Sequence, residues 1–313
     1  LAKPMAMSFP IILGLCDLYC RRLLKPYVIL EKLLIGMCLF VIGSITFQSY
    51  AHSSDVSCVD SMLIWMWSFT FYMYKFFSLN YFVLIYKFPQ PITLANPVYA
   101  WSCIGFLVMM IAGIYFRRHR LFVFAILYYV CSIFLVLRWD FEKDINMVAD
   151  RFMYLPSLGL CLWLGAISGN MLDQYSSRRW KKNWVFAGLV VLMSFLGYKT
   201  HQQILVWKSS VSLWEHQLVY QPQAATALTY NKLASAYADE MGLKEKLKQS
   251  GIQSLSIPDQ TKYQKILGLY QAALVIKPDY ADSLVRLARI YKAAGELAKS
   301  EHYYLKTIKA DSD

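Results

Sequence analysis

The sequence predicts an all-α protein: a polytopic helical membrane domain followed by a short tetratricopeptide-repeat solenoid. Three observations carry that prediction. Long apolar runs recur through the first two hundred of 313 residues. The composition is 57% hydrophobic and 16% aromatic but only 17% charged, which suits a membrane protein better than a soluble globule. After about residue 227 the chain turns polar, and two helical patterns there can be laid over each other.

Spanning a bilayer takes roughly 20 apolar residues in a helix, with about 17 as the lower bound. Six segments approach this: about 4–20, 29–50, 98–116, 121–138, 152–172 and 184–198. A further aromatic stretch, 61–88, reads either as one membrane helix with an interfacial segment or as a helical hairpin. Its Trp, Tyr and Phe side chains suit a lipid-facing belt better than a sugar-stacking groove. The chain starts at Leu1 without a signal-peptide pattern, so it reads as the later part of a longer protein, or a processed one.

The net charge of +12 is explained by where the basic residues lie. Arg21, Arg22, Lys25 and Lys32 fall between the first two spans. Arg117, Arg118 and Arg120 fill one turn, and Arg178, Arg179, Lys181 and Lys182 precede the last span. The loops 51–60, 89–97 and 139–151 are poor in Lys and Arg. The positive-inside rule puts the basic turns in the cytoplasm and the 139–151 loop outside, provided 61–88 crosses an even number of times. Charge is therefore mostly topology, and a nucleic-acid partner is not expected.

The transmembrane domain is expected over 1–198 and an outward repeat domain over 199–313. "YNKLASAY" (230–237) and "LVRLARIY" (284–291) share large, large, small, large side chains at Tyr230/Leu284, Leu233/Leu287, Ala234/Ala288 and Tyr237/Tyr291. That is the first helix of a tetratricopeptide repeat, whose small residue lets its partner helix approach. The second helices also match: Trp214, Tyr270 and Tyr304 hold one aromatic position. Tyr270 and Tyr304 are 34 residues apart, the repeat's own period. Between Trp214 and Tyr270 an insertion is needed, and the polar stretch 244–263 supplies it as a loop with a helical piece.

The chemistry-bearing residues concentrate in "RWDFEKDINMVADRFMYLP" (138–156). One reading makes Asp150 a helix cap, Arg151 a snorkelling anchor and Tyr154 part of the aromatic belt. The other has Arg151, with Arg138, holding a lipid-linked phosphate, since guanidinium binds phosphate in a bidentate way. Asp150 then orients the guanidinium. Lys3 is a further phosphate candidate, with helix anchoring the favoured alternative. Seven cysteines and five histidines show no metal-ligand spacing. No nucleotide or nucleophile motif occurs, and no cofactor is evident.

Four stretches resemble, in order, bacterial multi-spanning proteins with a tetratricopeptide tail. They are "LAKPMAMSFPIILGLCDLYCRR", "EKLLIGMCLFVIGSITFQ", "ADRFMYLPSLGL" and "THQQILVWKSSVSLWEHQLVYQP". These proteins are related to the animal transmembrane-and-TPR O-mannosyltransferases of the GT-C superfamily. The resemblance implies sugar transfer from a polyprenyl-phosphate carrier to a protein or other acceptor at the outer face. It implies a lipid-linked sugar donor, a bacterial inner-membrane location and a periplasmic repeat domain that binds a protein partner or acceptor. The superfamily's catalytic acid lies in the first outer loop, which this chain does not match, so no catalytic residue is assigned. Arg151 and Asp150 carry over as carrier-phosphate and structural residues. The alternative reading is a non-catalytic membrane scaffold, or a subunit of a larger complex, that tethers partners through its repeats.

Overall fold

The computed structural model describes residues 8–22, 26–50, 57–79, 81–86, 89–134, 137, 148–175, 177–250 and 256–312. All regular structure among them is helical. The chain divides into two compact units, Leu1–Phe82 with Phe88–Lys199, and Val83–Lys87 with Thr200–Asp313.

In the first unit, α1 (Phe9–Tyr19) has a proline in its first turn, where the missing N–H costs nothing. It ends with Arg21 in the left-handed region at φ 57°. The Arg22 N–H then returns to Asp17 O at 2.8 Å, which satisfies one of the orphan carbonyls of the last turn. Asp17 pairs with Lys32 of α2 (Pro26–Tyr50) at 3.0 Å.

Helix α3 (Cys58–Ser78) is capped by the Ser57 hydroxyl, which accepts from the Val59 N–H. It stops at Leu79, whose left-handed φ of 48° turns the chain out of the helix. The 61–88 stretch is thus one helix followed by non-helical backbone among its described residues, and a helical hairpin is not formed. Its aromatic side chains divide: Tyr74, Phe77 and Tyr81 are exposed, while others form core. Trp67, Phe69 and Tyr72 are buried, and Trp65 and Phe69 pack on Phe106 of α4 (Pro97–Tyr115). The Tyr129 hydroxyl of α5 (Arg120–Phe134) donates to Phe69 O at 2.8 Å, joining the two helices in the core.

Three helical stretches among the described residues are long and apolar enough to cross a membrane: Pro97–Tyr115, Asp150–Gln174 and Arg179–Val206. They mark the chain as membrane-associated. The second comprises a 3-10 turn (Asp150–Met153) and α6 (Tyr154–Gln174); the third is α7. Helices α1 and α5 are apolar but shorter, at 11 and 15 residues. Residues 1–7 and 135–136 beside them lie outside the described set.

The α5–α6 contact explains part of "YLPSLG". Pro156 and Gly159 are buried. A Cβ on Gly159 would stand 2.8 Å from Tyr128 Cδ1 and 3.1 Å from the Ala125 carbonyl. Gly159→Ala should therefore force the two helices apart and destabilise by about 1–3 kcal/mol. A lowered thermal midpoint of the detergent-purified protein checks this. An unchanged midpoint would mean that the helices separate without cost.

The second unit is a run of packed helices: α8 (Ser210–Tyr220), α9 (Ala227–Met241), α10 (Leu243–Ser250), α11 (Ile257–Ile276), α12 (Ala281–Ala293) and α13 (Leu297–Ser312). Successive neighbours are α8 on α9, α9 on α11, α11 on α12 and α12 on α13. The matched small positions Ala234 and Ala288 are both fully buried, as are their neighbours Leu233 and Leu287. The insertion is more than a surface loop. Helix α10 follows Gly242, which takes φ 60° without a side-chain clash. It buries Leu243 and Leu247 in the same core as Tyr263, Ile266 and Tyr270. Burial of those two leucines is what makes the segment helical despite its charge.

Candidate functional site

The site grows from the last turns of α3 and the 3-10 turn before α6. Val148 and Ala149 are buried. The extended Ala149 donates its N–H to the buried Tyr72 hydroxyl at 2.9 Å. Phe152 N–H then returns to Ala149 O at 2.9 Å and closes the turn. Ala149 caps the turn and Met153 caps α6. Asp150 is therefore not the helix cap but the first residue inside the turn, where a negative charge suits the helix start.

Arg151 is exposed, with its guanidinium 5.1 Å from the centre of the Phe152 ring. That is a cation–π contact, made while the side chain stays open to the surroundings. Tyr154, at 79% exposed, opens α6 on the surface. Arg138 and Lys3 lie outside the described residues.

The structure adds Lys75, which motif reading passed over. Its ammonium donates to Tyr81 O at 2.7 Å and lies 5.7 and 5.6 Å from the Phe71 and Phe82 rings. Asp150 interacts with it electrostatically, and Tyr72 senses the charges of both Asp150 and Arg151. Lys75, Asp150 and Arg151 thus influence one another's surroundings electrostatically where α3 meets the turn. A lysine inside an apolar, aromatic run is itself a functional signal. Its partner, however, is 75 positions away in sequence and only the fold reveals it. Among the described residues no group of three or more His, Cys, Asp or Glu side chains can hold a metal ion.

The chain is similar to two fruit-fly proteins. Over 159 residues it is 25% identical to Protein O-mannosyl-transferase Tmtc3 of Drosophila melanogaster. Over 79 residues it is 28% identical to Protein O-mannosyl-transferase Tmtc1 of the same organism. These stretches cover 51% and 25% of this chain but only 15% and 9% of the two relatives. No protein-family model matches the chain, and no solved structure does.

Proposed function

We propose that this chain is part of a membrane glycosyltransferase. The enzyme moves a sugar from a polyprenyl-phosphate carrier to a protein or other acceptor at the outer membrane face. The observation that carries the reading is the similarity to two protein O-mannosyl-transferases. In the reaction an acceptor hydroxyl attacks the anomeric carbon, the bond from that carbon to the carrier phosphate breaks, and the phosphate leaves with the electron pair. Arg151 and Lys75 stabilise the negative charge that grows on the phosphate. Asp150 sets the position of the cations. The base that takes the hydroxyl proton is not assigned among these residues. The packed helices of the second unit act as a tetratricopeptide surface for the acceptor or a partner.

With one helix in 61–88 instead of a hairpin, an even number of crossings there requires that α3 does not pass from one side to the other. The orientation of α4 to α7 has separate support from within the second unit. Gln217 of α8 binds the backbone of Leu84 and Ile85, so the 83–86 segment and α8 share one side of the membrane. Between them run α4, α5, α6 and α7. If each crosses once, an even number of crossings joins the two, and the basic turns at 117–120 and 178–182 fall together on the opposite side. That is the side which the positive-inside rule assigns to the cytoplasm. The turn at 150–153, which carries Arg151, then lies on the outer side.

Membranes holding the intact gene product should transfer sugar from a polyprenyl-phosphate donor to protein, with a nucleotide sugar failing to replace it. Equal use of the nucleotide sugar, or no transfer, overturns the reaction. In a cysteine-free background, single cysteines at Thr93 and Gln260 should react with an impermeant thiol reagent from the outside. A cysteine at His119 should react only after the membrane is opened. Any other pattern overturns the orientation.

A further inference from the structure

At the other end of the first unit's helices is a feature that the transfer site does not use. Helices α1, α5 and α6 line an open groove of about 350 Å³, at the small end of the roughly 300–1,000 Å³ typical of ligand sites. Cys16 and Tyr19 of α1, Cys20 just beyond it, Leu121 and Phe124 of α5, and Leu162 and Ala166 of α6 line it, and the lining is apolar. The ring centres of Tyr19 and Phe124 are 4.7 Å apart, and these two side chains form one wall.

The mouth is strongly basic. The Arg120 guanidinium sits 5.8 Å from the centre of the Tyr19 ring, and its Nη2 donates to Tyr19 O at 3.5 Å. Arg21 and Arg22 follow directly at the end of α1, and all three arginines are exposed. The nearest acid on α1, Asp17, is already paired with Lys32. On α2, Glu31 is 3.3 Å from the same lysine. On α6 the nearest acid is Asp173, seven positions beyond Ala166, near the end of that helix. Lys32 offsets one of the Asp17 and Glu31 carboxylates, so three arginines face one net negative charge. An apolar slot with such a rim matches a molecule with a hydrocarbon chain and an anionic head. The slot runs from the last turn of α1 and the start of α5, where the arginines stand, to the middle of α6. On the topology above, the arginine end lies at the cytoplasmic leaflet, where anionic lipids meet basic clusters.

We propose that this groove holds one acyl chain of an anionic phospholipid, with the headgroup phosphate on Arg120 and on Arg21 and Arg22 beside it. The site is separate from the Arg151 turn, and the proposal stands whether or not the chain transfers sugar.

The test is native mass spectrometry of the full-length protein in mild detergent. Phosphatidylglycerol and phosphatidylethanolamine are added at equal concentration. Phosphatidylglycerol should be retained about tenfold better. The triple variant Arg21→Ala, Arg22→Ala, Arg120→Ala should lose that preference, and Ala166→Phe should lower retention by filling the slot. A second readout needs no variant: phosphatidylglycerol, but not phosphatidylethanolamine, should slow alkylation of Cys20, followed at its own peptide. Equal retention of the two lipids overturns the proposal. So does undiminished preference in the triple variant, unprotected Cys20, or a polyprenyl phosphate as the retained species.

Discussion

Replacing Arg151 with alanine should lower sugar transfer by about 100-fold or more, while the protein still accumulates in membranes at its normal level. The size follows from the role. Removing one preorganised donor from a developing negative charge typically costs about 10²–10³ in rate, and a charge-assisted bidentate contact lies at the strong end. The fold should tolerate the change. Arg151 is exposed, and the turn that carries it is fixed by the buried Ala149 N–H on Tyr72 and by Val148. Arg151→Lys separates charge from geometry. It keeps the cation but loses the planar fork, so it should recover only part of the activity. Transfer is measured from lipid-linked donor in isolated membranes, with protein level read in parallel. Unchanged transfer in Arg151→Ala removes the residue from the phosphate site. Loss of the protein itself restores the helix-anchor reading.

The same stretch shows what sequence could and could not reveal. In "ADRFMYLPSLG" the composition marked a helix start, and the structure agrees that a helix begins there. It did not show that the block serves two masters. Its first half presents Arg151 at the surface, while Pro156 and Gly159 pack into α5. A glycine needed for a close approach looks the same in sequence as any other glycine. Lys75 was hidden for a different reason. Its meeting with Asp150 depends on α3 ending near the turn, and no local pattern encodes a pairing across 75 positions.

Periodic features were easier to read. The buried pairs Leu233–Ala234 and Leu287–Ala288 follow from side-chain size at fixed helical offsets. Helix α10 was harder because six of the eight residues in "LKEKLKQS" are polar. Only Leu243 and Leu247, four apart, carry the apolar face that buries it. Sequence reasoning therefore succeeded where one face repeats, and failed where a single buried side chain decides the structure.

Gln217 is the sharpest case of such a side chain, and its replacement should have the second large effect. The sequence placed it in the middle of "WEHQLVYQP", where a glutamine reads as a surface residue. It is 1% exposed. Its Oε1 accepts from the N–H groups of Leu84 and Ile85, each at 3.0 Å, and its Nε2 donates to Ile85 O at 2.8 Å. The side chain thus satisfies three backbone groups of a non-helical segment that has no sheet partner to do so. Gln217→Ala leaves those groups unpaired beside Ile85, itself only 8% exposed. An unsatisfied buried group costs about 1–3 kcal/mol. Water entering the gap recovers part of this, so a net loss of roughly 2–4 kcal/mol is expected. Gln217→Leu decides between causes, because it restores volume but no hydrogen bonds. If the bonds matter, both variants should show a similar drop in thermal midpoint and fast hydrogen exchange at the Leu84 and Ile85 amides. If Gln217→Leu behaves as the natural protein does, the loss in alanine is a cavity effect. The polar clamp would then not be what holds the 83–86 backbone to α8.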